Sequence, residues 1–211
     1  MTIQTLAMAI AHANASMEHL TDTLNAADAK LGDGDTGTML HRLLGVFAAV
    51  DIHAAPDLGA AFMALAKAGA ASTGSSLGTL VITAMMTAGK ATSGQHELEW
   101  DRLGALMSAI RDAAMARGKA ELGAKTIIDS LDALARAIDG LQGPDGIARA
   151  ANAALASALT EFRDRPSAMG RARIFADKSI GLDDPGMLGL AEIVHAITAE
   201  KDQRHRGTTL A

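Results

Sequence analysis

Three aspartates, Asp28, Asp33 and Asp35, crowd into the glycine-rich stretch Asp28-Ala29-Lys30-Leu31-Gly32-Asp33-Gly34-Asp35-Thr36-Gly37-Thr38. Carboxylate oxygens set among residues of little bulk suit a hard cation such as Mg²⁺, which in turn carries phosphate on its far side. Two familiar motifs overlap the stretch, and neither holds. Gly32, Gly34 and Gly37 satisfy G-x-G-x-x-G, but Asp33 and Asp35 would repel a pyrophosphate, and the residues before them have a helical rather than a strand pattern. An EF-hand loop opening at Asp33 needs a ligand at its fifth position and a glutamate at its twelfth, where Gly37 and Leu44 stand. The competing reading is an acidic surface turn whose aspartates cap the following helix.

A second stretch complements the first. From Gly69 to Thr79 the chain is a run of small, hydroxyl-bearing residues, with Thr73, Gly74 and Ser75 opening a helical pattern over Leu77 to Ala88. Backbone N–H groups at a helix start, flanked by hydroxyls, form an anion site suited to phosphate oxygens. The run departs from a Walker A loop at one decisive place, since Ser75 follows Gly74 where that motif needs lysine. A metal held by Asp28, Asp33 and Asp35 would supply the missing charge neutralisation. Close helix packing at small residues, or a linker, is the alternative. Further on, Arg171 and Arg173 suit either bidentate contact with phosphate or a salt bridge to Asp164 or Asp177. His12, His19, His41 and His53 have no metal-ligand spacing, and the single tryptophan, Trp100, reads as a packing residue.

Helices must position these groups. Ile3, Leu6, Ile10, Ala13, Met17, Leu20 and Leu24 recur in steps of three and four, so an amphipathic helix delivers the chain to Asp28. Leu40, Leu43, Leu44 and Phe47 mark a second helix, and Asp57 caps a third with Leu58, Phe62 and Leu65 inward. Leu77 to Ala88 is the fourth. The polar connection Thr92 to Glu99 is a loop inside one domain, because the helices on either side are too few to bury their faces separately. Leu98, Leu103, Leu106, Met107 and Ile110 mark a fifth helix closing toward Gly118, and Gly123 to Asp129 opens a sixth running to Ile138. A turn at Gly143 to Gly146 precedes a seventh from Ile147 to Phe162. After an irregular segment from Met169 to Gly186, Asp184 caps and Pro185 begins a final helix, Met187 to Ala199. From Lys201 the sequence reads as a frayed tail.

Composition narrows the class. The 211 residues fit one domain able to bury its own core, and hydrophobic residues make up 49% with aromatics only 2%, so Ala, Leu and Met favour helix over strand. The expected fold is therefore all-α. A formal charge of −5 with few stacking aromatics argues against nucleic acid as a partner. The absence of cysteine excludes disulfides and thiolate chemistry and is compatible with the cytoplasm. Met1 to Ala15 lacks the pattern of a signal peptide, and no apolar run approaches the roughly 20 residues needed to cross a bilayer, so neither secretion nor a membrane is expected.

Three stretches taken together resemble the nucleotide-binding L subunit of dihydroxyacetone kinases, the DAK2-type domain. They are D-x-x-x-x-G-D-G-D-x-G at Asp28 to Gly37, the turn at Thr73-Gly74-Ser75 with Gly78, and G-R-A…S-I-G-x-x-D-P-G from Gly170 to Gly186. Lys125-Thr126-Ile127-Ile128-Asp129 is similar to the K-T-M-x-D segment of that family. The resemblance spans residues 1–200 and implies an antiparallel eight-helix barrel with nucleotide held by the loops at one end. It implies that Asp28, Asp33 and Asp35 bind two Mg²⁺ ions bridging the phosphates of ADP or ATP, that Thr73, Gly74 and Ser75 cradle phosphate and Arg171 touches it, that Gly123 and Thr126 lie near adenine, and that Asp184, Pro185 and Gly186 close the pocket.

The implied activity is phosphoryl transfer to a small ketose held on a separate, ketose-binding kinase subunit, with no catalytic residue needed here beyond the groups that position the phosphoryl. A chain carrying this domain alone fits a multisubunit enzyme, in which the phosphoryl group comes from exchangeable ATP or from bound ADP rephosphorylated in place by a phosphocarrier protein of the phosphotransferase system. Thr36 stands where phosphocarrier-dependent members usually have histidine, and the GDGDTGT wording is nearer that of ATP-dependent kinases and of fatty-acid kinase. A nucleotide-binding adaptor without turnover would use the same motif, whereas a helical domain with structural Ca²⁺ lacks the expected glutamate.

Overall fold

The computed structural model describes residues 1–206, the side chains of residues 171, 172, 175 and 200–206 excepted. Eight helices follow one another: α1 (Ile3–Asp28), α2 (Thr36–Ala48), α3 (Leu58–Ala70), α4 (Ser76–Ala91), α5 (Leu103–Gly118), α6 (Ile127–Ala137), α7 (Pro144–Arg163) and α8 (Pro185–Arg206). Among the described residues there is no strand, only an isolated bridge between Thr2 and Glu97. Residues 207–211, the end of the expected tail, lie outside the described residues.

Each helix packs on the next, and α8 packs back on α1, which closes the series into an antiparallel ring. Leu6, Ala13, Met17 and Leu24 of α1 are buried, as the three-and-four spacing of its stripe requires. Leu6, Met17 and Leu24 join Leu43 and Phe47 of α2, Leu58 and Leu65 of α3, Ile82 of α4 and Leu106 of α5 in one core of apolar side chains. A smaller cluster around Leu134, Ile138 and Leu155 joins α6 to α7, with Trp100 packed against it. Asp132 is buried between Arg111 and Arg136 and ties α5 to α6, with a 2.7 Å contact to the Arg111 guanidinium.

Several boundaries differ from the sequence pattern for local reasons. Leu98 belongs to the connection, where its N–H donates to the Met1 carbonyl, and a short 3₁₀ turn at Trp100–Arg102 precedes α5. Helix α6 starts at Ile127, because Lys125 is left-handed (φ 60°) and Thr126 is the N-cap. Helix α7 starts three residues early, at Pro144, whose fixed φ suits the first turn. The segment expected to be irregular contains a 3₁₀ stretch, Arg171–Ser179.

The ring sorts the loops between its two ends. Helices α1, α3, α5 and α7 finish at one end, where α2, α4, α6 and α8 begin. Contacts among the first turns confirm this: a Cβ at Gly186 of α8 would lie 3.4 Å from Ile127 of α6 and 3.8 Å from Leu77 of α4, and one at Gly189 would lie 3.2 Å from Leu40 of α2. Four positive helix ends therefore converge there. At the opposite end, Leu58 N–H at the start of α3 donates to the Gln95 carbonyl of the α4–α5 connection at 2.8 Å.

Candidate metal and phosphate site

All of the stretches singled out by chemistry fall on the loops of that one end. Asp28, Asp33 and Asp35 come from the α1–α2 turn, Thr73 to Ser75 from the α3–α4 turn, Gly123 and Thr126 from the α5–α6 loop, and Asp184 to Gly186 from the close of the α7–α8 loop.

Carboxylate oxygens of Asp28, Asp33 and Asp35 lie within 4.8 Å of one another, Asp28 buried and the other two exposed. Among the described residues this is the one group of three or more acidic or imidazole side chains placed to share an ion. The turn is built around Asp28, whose Oδ2 accepts the N–H groups of Asp35 (2.9 Å) and Thr36 (3.2 Å). The competing capping role thus falls to Asp28, reaching across from α1. Asp35 occupies the N-cap position of α2 without a capping bond from its side chain. Gly34 adopts φ 77°, and a Cβ at Gly32 would sit 2.3 Å from Asp28 Oδ1, so larger residues would displace the carboxylate. Asn25, one turn before Asp28, fastens α2 from the other side: its Oδ1 accepts Thr38 N–H at 3.1 Å and its Nδ2 donates to Thr38 Oγ1 at 2.9 Å. Sequence reading passed over Asn25, although its three-residue spacing from Asp28 places both on one helix face.

The α3–α4 turn is a helix N-terminus dressed with hydroxyls. Ser75 caps α4 by accepting Gly78 N–H at 2.9 Å, and Thr73 Oγ1 accepts Ser75 N–H at 3.4 Å. A Cβ at Gly78 would lie 2.0 Å from Thr73 Oγ1, so glycine there is what lets the hydroxyl fold over the helix end. Gly74 is exposed, and a Cβ added there would meet nothing within 4 Å, which leaves that face of the turn open to a ligand.

Beside this turn lies a cleft of about 410 Å³, lined by Ser76, Thr79 and Leu80 of α4, Arg117 at the end of α5, Thr126 and Met169 among others. Its size and mixed lining suit a nucleoside. Leu80, Arg117 and Met169 carried no motif and were not foreseen. Thr126 lines the cleft, while its hydroxyl caps α6 through Ile128 N–H. Gly123 lines a different depression, between α6 and α7. Asp129 holds the loop that joins them, accepting Gly123 N–H at 2.5 Å and Thr126 N–H at 2.8 Å. Arg171's side chain lies outside the described residues, and Arg173 is exposed.

Asp184 caps α8 through Met187 N–H at 2.9 Å. Its carboxyl is pushed up to about 6 by burial, against the pull of the Met187 and Gly186 N–H groups and the Lys125 ammonium. A raised value means that the protonated form suits the fold; this contribution is fully present below the ordinary value of 3.8 and is lost as pH rises through about 6. Asp184→Asn keeps a good cap and stays neutral. The stability of this variant is expected to gain on that of the wild type as pH rises from about 4 to about 7, by on the order of 1 kcal/mol once solvent screening is allowed for. Melting curves across that range check it, and a gap independent of pH would contradict it.

Comparison with known proteins places these features in a family setting. A family model described as the DAK2 domain matches residues 30–199. An L-erythrulose kinase of Pectobacterium atrosepticum is 30% identical over 186 residues, covering 83% of this chain and 31% of its own length. The ADP-binding subunit DhaL of PEP-dependent dihydroxyacetone kinase 1 from Listeria innocua is 27% identical over 175 residues, covering 82% of this chain and 84% of its own. The crystal structure of the dihydroxyacetone kinase of C. freundii superposes on 92% of this chain and 34% of its own length, with a TM-score of 0.71 and 22% identity. Its complex with AMP-PNP and Mg²⁺ gives a TM-score of 0.67. At that identity the likeness speaks to the fold, an all-helical barrel. The chain spans about a third of the length of the L-erythrulose kinase and of the solved kinase.

Proposed function

Because the chain belongs to the DAK2-domain family, we propose that it is the nucleotide-binding, phosphoryl-donating subunit of a kinase for a small ketose such as dihydroxyacetone or L-erythrulose. The observation that carries this reading is the convergence of Asp28, Asp33 and Asp35 at the same barrel end as the lysine-free turn at Thr73 to Ser75. Hard carboxylate oxygens on closely set side chains, Asp28 buried and Asp33 and Asp35 exposed, fit Mg²⁺, two ions by family resemblance, and no soft ligand is among them. Bound Mg²⁺ neutralises charge on the phosphate oxygens.

This chain's own contribution is positional. The N–H groups at the start of α4, with the hydroxyls of Thr73 and Ser75, receive phosphate oxygens, and the cleft beside Leu80, Arg117 and Met169 takes the nucleoside of ADP or ATP. Asp184 to Gly186, at the start of α8, close the pocket. The terminal phosphoryl group is thereby held facing out of the barrel end. A ketose hydroxyl presented by a separate ketose-binding subunit would form the new P–O bond as the bond to the nucleotide breaks, its proton passing to a group on that subunit and ADP remaining as the leaving group. ATP that exchanges, or ADP rephosphorylated in place by a phosphocarrier, would each supply that phosphoryl group.

Mixing the chain with a ketose-binding subunit, Mg²⁺, ATP and dihydroxyacetone or L-erythrulose tests the reading. The expected result is a phosphorylated ketose, seen by ³¹P NMR, that requires both proteins. Tight nucleotide binding without product, with ATP or with a phosphocarrier system, would instead favour a non-catalytic adaptor.

A further inference from the structure

Lys125 is 1% exposed, although lysine almost never is. Its Nζ donates to three backbone carbonyls, those of Arg163 (2.9 Å), Arg165 (2.9 Å) and Ser179 (2.7 Å), which uses all three of its N–H bonds. The first two acceptors lie where the α7–α8 loop leaves α7, and the third lies where the loop returns. The neck formed there is reinforced by Gly181 N–H to Arg163 O at 2.9 Å and by Ser167 N–H to Ser179 Oγ at 2.7 Å. Just beyond the neck, Met169 and Gly170 form one wall of the 410 Å³ cleft, and Ala168 N–H donates to Ala124 O at 3.0 Å. Lys125 holds a left-handed backbone, φ 60°, where glycine would fit without strain. The three hydrogen bonds of its side chain offset that strain.

We propose that Lys125 is a positioning residue for the nucleotide site, its ammonium pinning both ends of the α7–α8 loop to the α5–α6 loop so that Met169 and Gly170 remain on the cleft wall. This deepens the nucleotide-binding reading and rests on it. A neutral side chain of equal length would leave three carbonyls without their charged donor, and the loop would open locally while the helices stayed packed.

Hydrogen exchange on the whole chain, without nucleotide, is the first measurement. In Lys125→Met, amides of residues 167–178 are expected to exchange about tenfold faster, with α1 to α4 unchanged. Ser179→Ala, which removes the acceptor of Ser167 N–H, should show a smaller change in the same peptides, and carries the test if Lys125→Met does not fold. The second measurement is kinetic, with the ketose-binding subunit present: KM for Mg-nucleotide rises about tenfold while kcat at saturation holds. Unchanged exchange in the loop, or a uniform loss of protection through all eight helices, overturns the clamp. A loosened loop with wild-type KM overturns its positioning role. A wild-type chain that binds no nucleotide, with the loop still loosened in both variants, overturns the nucleotide reading and leaves the clamp standing.

Discussion

Replacing Asp33 and Asp35 together by asparagine is expected to weaken binding of Mg-ADP by about 100-fold or more, because two of three anionic ligands are lost and asparagine oxygens bring no charge. Isothermal titration reads this directly. Removing Mg²⁺ from the wild type should bring its affinity close to that of the variant, since both changes delete the same bridge between carboxylate and phosphate. The metal-free fold should not suffer. Both side chains are exposed, and three carboxylates within 4.8 Å repel one another, so neutralising two relieves the turn. The thermal midpoint of the free protein should therefore hold or rise slightly, while the stabilisation by Mg-nucleotide, about 2.7 kcal/mol at a hundredfold excess over the wild-type Kd, falls to about 0.4 kcal/mol or less at the same concentration. A variant that binds as tightly as the wild type would show that these aspartates are not the metal site.

Gly37→Ala should act in the opposite way, through the fold first and the site second. A Cβ at this position would lie 2.1 Å from the carbonyl oxygen of Thr21 and 2.9 Å from Asn25 Oδ1. The nearer atom belongs to the backbone of α1 and cannot rotate away, so α2 has to shift from α1. Overpacking of this kind costs about 1–3 kcal/mol, or a fall of several degrees in thermal midpoint for a chain of this size. Because Asp28 stands on α1 and Asp35 on the α2 cap, the same shift separates the carboxylates, and Mg-nucleotide affinity falls as well. Gly146→Ala is the control, lying in α7 with no atom within 4 Å of the added carbon. It should be neutral or stabilising by up to about 1 kcal/mol. Equal melting temperatures for the two variants would argue against such close contact between α1 and α2.

Most of this architecture is written in local pattern. The stripe of α1 predicts the burial of Leu6, Ala13, Met17 and Leu24, and the Asp184-Pro185 pair predicts the start of α8, because both depend on residues a turn or less apart. The acidic turn is legible for the same reason, since its three carboxylates are close in sequence as well as in space. What local pattern does not reveal is whatever depends on distant chain. The packing of α8 on α1, which makes a barrel rather than an open row of helices, joins the two ends of the sequence; family resemblance supplied that expectation, and spacing did not. Lys125 opens a segment of family-like wording, but no role for it is legible until carbonyls from Arg163, Arg165 and Ser179 surround it. Arg117 and Met169 meet at the cleft from the end of α5 and from the α7–α8 loop, with no spacing to connect them.

The parity of the barrel also limits how a substrate can arrive. Eight alternating helices put the beginning of α1 and the end of α8 at the end remote from the four loops. Helix α8 alone, at 22 residues, spans about 33 Å. A second protein unit tethered to either terminus would need a connector of roughly ten extended residues merely to run back along the barrel before reaching the phosphate turn. A unit approaching untethered meets the loop end directly. Travel distance, rather than any contact in the site, thus sets the shortest tether on which a unit fused to either terminus could reach the loop end.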